Sequence, residues 1–190
     1  HLCDRRQRQM CIRDSLYTTF VCNRNVYAEQ MEDGNYRTLN KPLLPYVIDK
    51  MLQQKSSLLT YQESNGYMKW ICLDFDIDKK ILDLGLQNDY TRSLIKSVTS
   101  TLKFLNENNI IPLIECSGRR GIHLWILFEE VINKSDAYKI VKHIIANSTI
   151  ERGINVDLFP QSGVINHKSK GLGKAVSYTH LRAHETSLHL

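Results

Sequence analysis

Within residues 67–159 the spacing of hydrophobic residues alternates several times between the period of a strand and the period of a helix, and this constrains the fold more than any other feature. The segments "YMKWICLDFDI", "IIPLIECS", "GIHLWILFEE" and "INVDLFP" are apolar or alternate with the two-residue period of a strand. The segments "YTRSLIKSVTSTLKFLNENN" and "KSDAYKIVKHIIANS" instead carry apolar residues at helical spacing. The order β-α-β-β-α-β predicts an α+β fold of the ferredoxin-like type.

This order predicts two helices on one face of an antiparallel four-stranded sheet whose other face is open. The first strand is then central, between the last strand and the third. The apolar positions predicted to face the sheet are Leu94, Ile95, Val98, Leu102 and Leu105 in the first helix and Ala137, Ile140, Val141, Ile144 and Ile145 in the second.

The residues before this core predict a smaller α/β extension. They contain a possible strand at 26–28, an "EDGNY" turn and a helix that begins near Pro45. An Asn65-Gly66 turn then joins two further strands, the second of which is the first strand of the core.

The first core strand carries an Asp at every second position, although Asp is a poor strand former. Its alternation points Leu73, Phe75 and Ile77 to the helices and Asp74 and Asp76 to the open face. The same alternation places on that face Cys72, His123, Trp125 and Asp157. Three carboxylates and one imidazole are therefore predicted to meet on one surface.

Such a carboxylate cluster suits hard divalent cations. We predict that Asp74, Asp76 and Asp157 hold two Mg²⁺ or Mn²⁺ ions, about 3.5–4 Å apart, the arrangement that stabilises the attacking and leaving oxygens in phosphoryl transfer. The alternative for any single Asp is a solvated face. Asp78, at the end of the strand, is expected to face solvent or to lie outside the ligand shell.

The loop "ECSGRRGIHLW" is predicted to bind phosphate. Ser117 and Gly121 allow a tight backbone that presents N–H groups to an anion, and Arg119 and Arg120 add two cationic forks. The alternative is a plain hairpin tip. A second loop, "LFPQSGVINHKSKGLGKA", offers Lys168, Lys170 and Lys174, which could contact phosphates or template or belong only to a mobile loop. Trp125 could stack a base, or it could equally be covered by missing chain.

Both ends of the chain look unlike the rest. "MCIRDS" can be written ATG TGT ATA AGA GAC AG, whose reverse complement, read one frame on, encodes the "VSYTH" of residues 176–180. Residues 1–15 and 176–190 therefore resemble translated sequencing-library adapters, and we predict an N-terminal part at 16–67 and a core at 68–175, truncated at both sides. Removing the five basic and three acidic residues of the ends leaves 20 basic and 17 acidic residues, a net charge of +3 rather than +5.

The remaining composition excludes several classes. Cys22, Cys72 and Cys116 form no CxxC pair, so neither a zinc site nor a disulfide framework is indicated. We predict that Cys72 and Cys116 are small core residues. No apolar run approaches the roughly 20 residues of a membrane span, so we expect no membrane partner.

The motifs, taken together, resemble the archaeo-eukaryotic primase superfamily, whose core is RRM-like. Its hydrophobic strand with Asp-x-Asp is similar to "CLDFDI", its small-x-His motif to "GIH", and its hydrophobic-acidic pair to "VD" before "LFP". The likeness is strongest to bacterial and phage primase-polymerases, including those of CRISPR-associated and related conflict systems. This chain has "GLGK" where that family usually shows Gly-x-Gly-Asn.

The resemblance implies a cytoplasmic nucleotidyltransferase, bacterial or phage-encoded, that extends or initiates nucleic-acid chains from NTPs or dNTPs on a template. It implies metal binding by Asp74, Asp76 and Asp157, and contact of His123 with the phosphates of the incoming nucleotide, near Ser117, Arg119 and Arg120. A helicase or zinc-containing domain often accompanies such proteins.

Two other hypotheses about the function remain open. A non-catalytic RRM-like module that binds RNA would place aromatic residues on the two central strands; this sequence places Asp74 and Asp76 on one of them, which argues against that module. A palm-type nucleotide cyclase also uses paired carboxylates and metals, and the "SGRRGIH" loop favours the primase over it.

Overall fold

The computed structural model describes residues 2–53, 57–117, 120–165 and 175–177. The chain divides into two compact units. Unit 1 comprises His1–Lys69 and Ile165–Leu190, and unit 2 comprises Trp70–Val164.

Unit 1 is built on a small antiparallel sheet. Its elements are α1 (Leu2–Thr19), β1 (Tyr27–Gln30), β2 (Tyr36–Leu39), α2 (Pro45–Leu52), β3 (Leu58–Tyr61), β4 (Glu63–Ser64) and β9 (Ala175–Ser177). The sheet order is β2-β1-β3-β9, and the predicted hairpin turn is confirmed, since Asn65 and Gly66 both have positive φ, 52° and 80°. The predicted α/β extension is therefore present.

Unit 2 has the predicted ferredoxin-like order with one added helix. Its elements are β5 (Tyr67–Ile77, which begins in unit 1), α3 (Lys79–Asp83), α4 (Gln87–Glu107), β6 (Leu113–Cys116), β7 (Gly121–Asn133), α5 (Lys134–Ala146) and β8 (Ile154–Phe159). Strand β5 lies between β8 and β7, and β6 pairs with the other side of β7. The α+β fold and the central position of the first core strand are confirmed, but the sheet has five strands and not four, because β4 also pairs with the start of β5.

The helix-facing side of β5 forms the centre of this unit's core. Leu73 and Phe75 are fully buried and Ile77 is 3% exposed, as the alternation predicts. Helix α5 buries Ala137, Val141 and Ile144, with Ile140 and Ile145 half-buried.

Helix α4 departs from prediction at one position, since Ile95 is 53% exposed. The buried face also includes the small polar residues Ser97 and Thr101, whose hydroxyls donate to the carbonyl oxygens of Ser93 and Ser97 at 2.9 and 3.2 Å. Because these bonds satisfy the hydroxyls within the helix, small polar residues can occupy the face. A hydrophobicity pattern does not recognise them as core.

The non-helical face of the sheet is not open along its whole length. Trp70, Cys72 and Trp125 are all buried there, and the two indole rings meet edge to face with centroids 4.9 Å apart. The prediction that Trp125 is available to stack a base is therefore wrong for this structure. Cys72 is a core residue as predicted, but Cys116 is exposed, because it ends the short strand β6, which buries only Glu115.

Asp78 ends β5 by capping the next helix. Its carboxylate accepts a hydrogen bond from the backbone N–H of Lys80 at 2.8 Å, and Asp is a preferred N-cap residue. This bond keeps the pKa of Asp78 below its ordinary value.

In the part of the chain that the structure describes, no helix combines the length and apolarity needed to cross a membrane.

Candidate active site

The three predicted metal ligands lie on two paired strands. Asp74 of β5 is directly opposite Asp157 of β8, and Asp76 is opposite Asn155. The side chains of Asp74 and Asp76 are 22% and 26% exposed, and Asp157 is exposed. The fully buried Leu73 and Phe75 anchor β5 from the helical side, so the carboxylates keep their side of the sheet.

His123 of β7 lies against the first of these carboxylates. Its Nε2 is 3.2 Å from Oδ1 of Asp74, and its Nδ1 is 2.9 Å from Oε2 of Glu115. Burial lowers the pKa of His123, but the close contacts with Asp74 and Glu115 and their negative charges outweigh it and raise the pKa to about 10. Each ring nitrogen thus faces a carboxylate, an environment that favours the protonated imidazolium.

Glu115 was not among the predicted site residues. It lies opposite His123 in the β6–β7 pair, is 5% exposed, and also accepts a hydrogen bond from Nε1 of Trp125 at 2.8 Å. A signal existed in the sequence: Glu115 is the one charged residue of an otherwise apolar strand. Counting the register back across the hairpin from His123 would have paired the two.

Arg120 forms an ion pair with the second of these carboxylates, Asp76. Its Nη2 is 3.0 Å from Oδ2 of Asp76, and its Nη1 donates to the carbonyl oxygen of Ile77 at 3.4 Å. Burial and the charge of Asp74 raise the pKa of Asp76, and the guanidinium of Arg120 opposes that rise. The structure thus brings Arg120 to the predicted site, where it compensates the charge of Asp76.

Ser117 and Gly121 close the loop between β6 and β7. The Ser117 hydroxyl accepts from the Gly121 N–H at 2.9 Å, and the Ser117 N–H donates to the Gly121 carbonyl at 3.0 Å. A Cβ at position 121 would collide with the Asp76 carboxylate and the Phe75 carbonyl, so only glycine allows β7 to begin this close to β5. Arg119 lies outside the described residues, as do Lys168, Lys170 and Lys174.

The donor chemistry of these residues fits a divalent cation. Oδ1 of Asp74 is buried and, among the described residues, has no hydrogen-bond partner, because its 3.2 Å contact with His123 lacks hydrogen-bond geometry. Carboxylate oxygens are the ligands that Mg²⁺ and Mn²⁺ prefer. In the described part of the chain, however, no group of three or more His, Cys, Asp and Glu side chains is already arranged to hold a metal ion. Asp74 and Asp76 lie instead against the cations His123 and Arg120.

Comparison with known proteins identifies the family. The family model described as "TOTE conflict system, Archaeo-Eukaryotic Primase domain" matches residues 8–183. No curated protein sequence matches the chain. Among solved structures, the polymerase domain of ligase D from Mycobacterium tuberculosis, in complex with DNA, aligns with a TM-score of 0.49 and 11% identity over 89% of this chain and 74% of that one; a resemblance at this level carries no argument.

The family match covers most of the chain and confirms the resemblance drawn from the three motifs. The assignment of both ends to adapter sequence stays a prediction, as does an association with CRISPR. The chain belongs to the archaeo-eukaryotic primase domain family of TOTE conflict systems.

Proposed function

We propose that the chain catalyses metal-dependent nucleotidyl transfer. In this reaction the 3′-hydroxyl of a nucleic-acid strand attacks the α-phosphorus of an NTP or dNTP, a new phosphodiester bond forms, and pyrophosphate leaves. The observation that carries the proposal is the opposition of Asp74 and Asp157 on adjacent strands, with His123 in contact with Asp74. Membership in a primase domain family supports it.

The three aspartates would hold Mg²⁺ or Mn²⁺, which supplies compensation of phosphate charge when bound. The chain adds cations of its own. The imidazolium of His123 can donate to a phosphate oxygen, and charge-assisted hydrogen bonds of this kind are stronger than neutral ones. Arg120 can do the same once it leaves Asp76. Ser117, through its hydrogen bonds with Gly121, would hold the conformation of the loop from which Arg120 and His123 reach the nucleotide.

The proposed partners are a template strand and nucleoside triphosphates, with a helicase or zinc-containing domain as a further expectation. The proposed location is the cytoplasm of a bacterium or of a phage-infected cell. The rival reading as a non-catalytic RRM-like module is disfavoured by the buried position of Trp125, because such modules stack bases on exposed aromatic residues of the central strands.

The test is a primer-synthesis and primer-extension assay on single-stranded template with NTPs or dNTPs. It compares the 190-residue chain and the complete gene product, in Mg²⁺, Mn²⁺ or EDTA. We expect product only with a divalent ion, and loss of product in Asp74→Asn and Asp157→Asn. Asp83→Asn, an exposed carboxylate of α3, is the matched control and should retain full activity. Absence of any metal-dependent product from the complete protein, or full activity of Asp74→Asn, would overturn the proposal.

A further inference from the structure

Glu115 is a buried carboxylate to which neither the sequence motifs nor the proposed reaction gives a role. Its side chain is 6% exposed, and it belongs to the short edge strand β6, whose other residues are exposed. Carboxylates are rarely buried unless they are paired and hydrogen-bonded. Its burial therefore points to a specific use of its acceptor atoms.

One oxygen of Glu115 joins two side chains of the next strand. Oε2 accepts from Nε1 of Trp125 at 2.8 Å and lies 2.9 Å from Nδ1 of His123. An indole N–H is only a donor, so Oε2 is the acceptor in that bond. Because a carboxylate only accepts, Nδ1 must carry the proton that faces it.

The indole is itself held in place. The ring of Trp125 packs edge to face on Trp70 with centroids 4.9 Å apart and lies at 88° to the imidazole of His123, 6.0 Å away. Trp125 is 4% exposed and Trp70 fully buried. Glu115 is thus attached on one side to the rigid core and on the other to the imidazole.

We propose, building on the function proposed above, that Glu115 is a positioning residue that fixes the imidazole of His123 for nucleotidyl transfer. With Nδ1 used by Glu115 and Nε2 directed to Asp74, the ring cannot rotate without losing a contact at each nitrogen. Nε2 is then the atom of His123 that meets a nucleotide phosphate. Glu115 touches no substrate and acts only through His123, as partners of functional histidines commonly do.

The variants separate positioning from general support of the fold. Glu115→Met removes the acceptor at similar volume, whereas Glu115→Gln keeps one oxygen that can accept from both neighbours. We expect Glu115→Met to lower the transfer rate by about 10- to 100-fold and Glu115→Gln to restore most of it. Glu130→Met, an exposed residue of the same sheet, is the control and should have no effect.

A double-mutant cycle gives the decisive comparison. In a His123→Ala background, Glu115→Met should lower the rate no further, because residues that act as a unit are strongly non-additive. If Glu115→Met lowers the rate by the same factor in both backgrounds, Glu115 is only structural and the proposal is wrong.

A second measurement requires no activity. Long-range ¹H–¹⁵N NMR spectra of the wild-type chain should show a hydrogen-bonded proton on Nδ1 of His123 and a downfield indole N–H of Trp125, both lost in Glu115→Met. An unprotonated Nδ1, or signals unchanged by the substitution, would overturn the proposal even in an active enzyme. If the spectra are as expected but the complete protein makes no product, the proposed function fails and not the fixation of the ring.

Discussion

Asp74 and Asp157 occupy directly opposed positions in the antiparallel pair of β5 and β8. Like charges at such positions repel each other, so the arrangement costs stability when no divalent ion is bound. A divalent ion bound between the two carboxylates would relieve this repulsion, so the cost can be measured by comparing stability with and without the ion.

The first prediction concerns that repulsion. Asp157→Asn should increase the free energy of unfolding in EDTA by about 0.2–1 kcal/mol, the range for one cross-strand pair. Adding Mg²⁺ should stabilise the wild-type chain more than the variant, since a ligand stabilises the state that binds it. Urea unfolding followed by circular dichroism gives both values. Asp83→Asn serves as control, and equal Mg²⁺ stabilisation of wild type and Asp157→Asn would contradict the prediction.

The second prediction concerns the close approach of β7 to β5. Gly121→Ala should destabilise the protein by about 1–3 kcal/mol, the usual cost of overpacking, and should displace the Asp76 carboxylate, which the new Cβ would meet. Transfer activity should fall at least tenfold at a temperature where the variant is folded.

The control for this substitution is Gly85→Ala. Gly85 has a φ of 71° and open space around it, so alanine there is strained yet remote from Asp76. We expect lower thermal stability with unchanged activity. If Gly121→Ala also lowers thermal stability without lowering transfer activity, the close approach of position 121 to Asp76 does not matter for activity.

The third prediction concerns Arg120, which competes with a divalent ion for Asp76. Arg120→Ala should increase the apparent affinity for Mn²⁺, measured without nucleotide by electron paramagnetic resonance, by up to about fivefold, in keeping with the modest energy of a partly exposed ion pair. Lys79→Ala removes an exposed positive charge of α3 and should change the affinity much less. Weaker Mn²⁺ binding by Arg120→Ala would show that Arg120 supports the ligands.

The fourth prediction concerns the cysteines. Burial raises the pKa of the Cys72 thiol well above its ordinary value, and the thiolate is the reactive form. Iodoacetamide at pH 8 should therefore modify the exposed Cys11 and Cys116 and leave Cys72 unmodified until denaturant is added. Cys22, whose pKa burial also raises, should react more slowly than Cys116. Mass spectrometry of the digested protein gives the order, and early labelling of Cys72 would contradict the buried placement of β5.

The spacing of the hydrophobic residues and the motifs could predict the strand order and the two faces of β5, because the burial of alternate residues is a local property of a strand. They could not predict the exposure of Ile95 or the burial of Ser97, since helix faces are decided by packing partners distant in sequence. Cys116 was misplaced for a related reason: apolar neighbours suggest a core position, but an edge strand is covered on fewer sides.

The predicted site was assembled from charged residues in recognisable motifs, and the structure brings Asp74, Asp76 and His123 together as expected. It adds Glu115, to which no motif assigns a role and which lies opposite His123 in the β6–β7 pair. In the structure Asp78 also caps the N-terminus of α3, a helix that the hydrophobic pattern does not predict. Helix capping depends on the backbone conformation of the residues after the strand, and the spacing of hydrophobic residues gives no information about that conformation.

The pairing of Cys72–Ile77 with Ile154–Phe159 has a consequence for how the gene can vary in length. One added or deleted codon within β5, upstream of Asp74, would turn both aspartates toward the helices and bring leucine and phenylalanine to their place. The same change in the turn around Gly85 would leave every pair intact. A library of single-codon insertions should therefore be depleted sharply across 70–73 and tolerated at 84–86, because the outcome depends on whether an insertion reverses the side-chain alternation of β5 and not on the chemistry of any one residue.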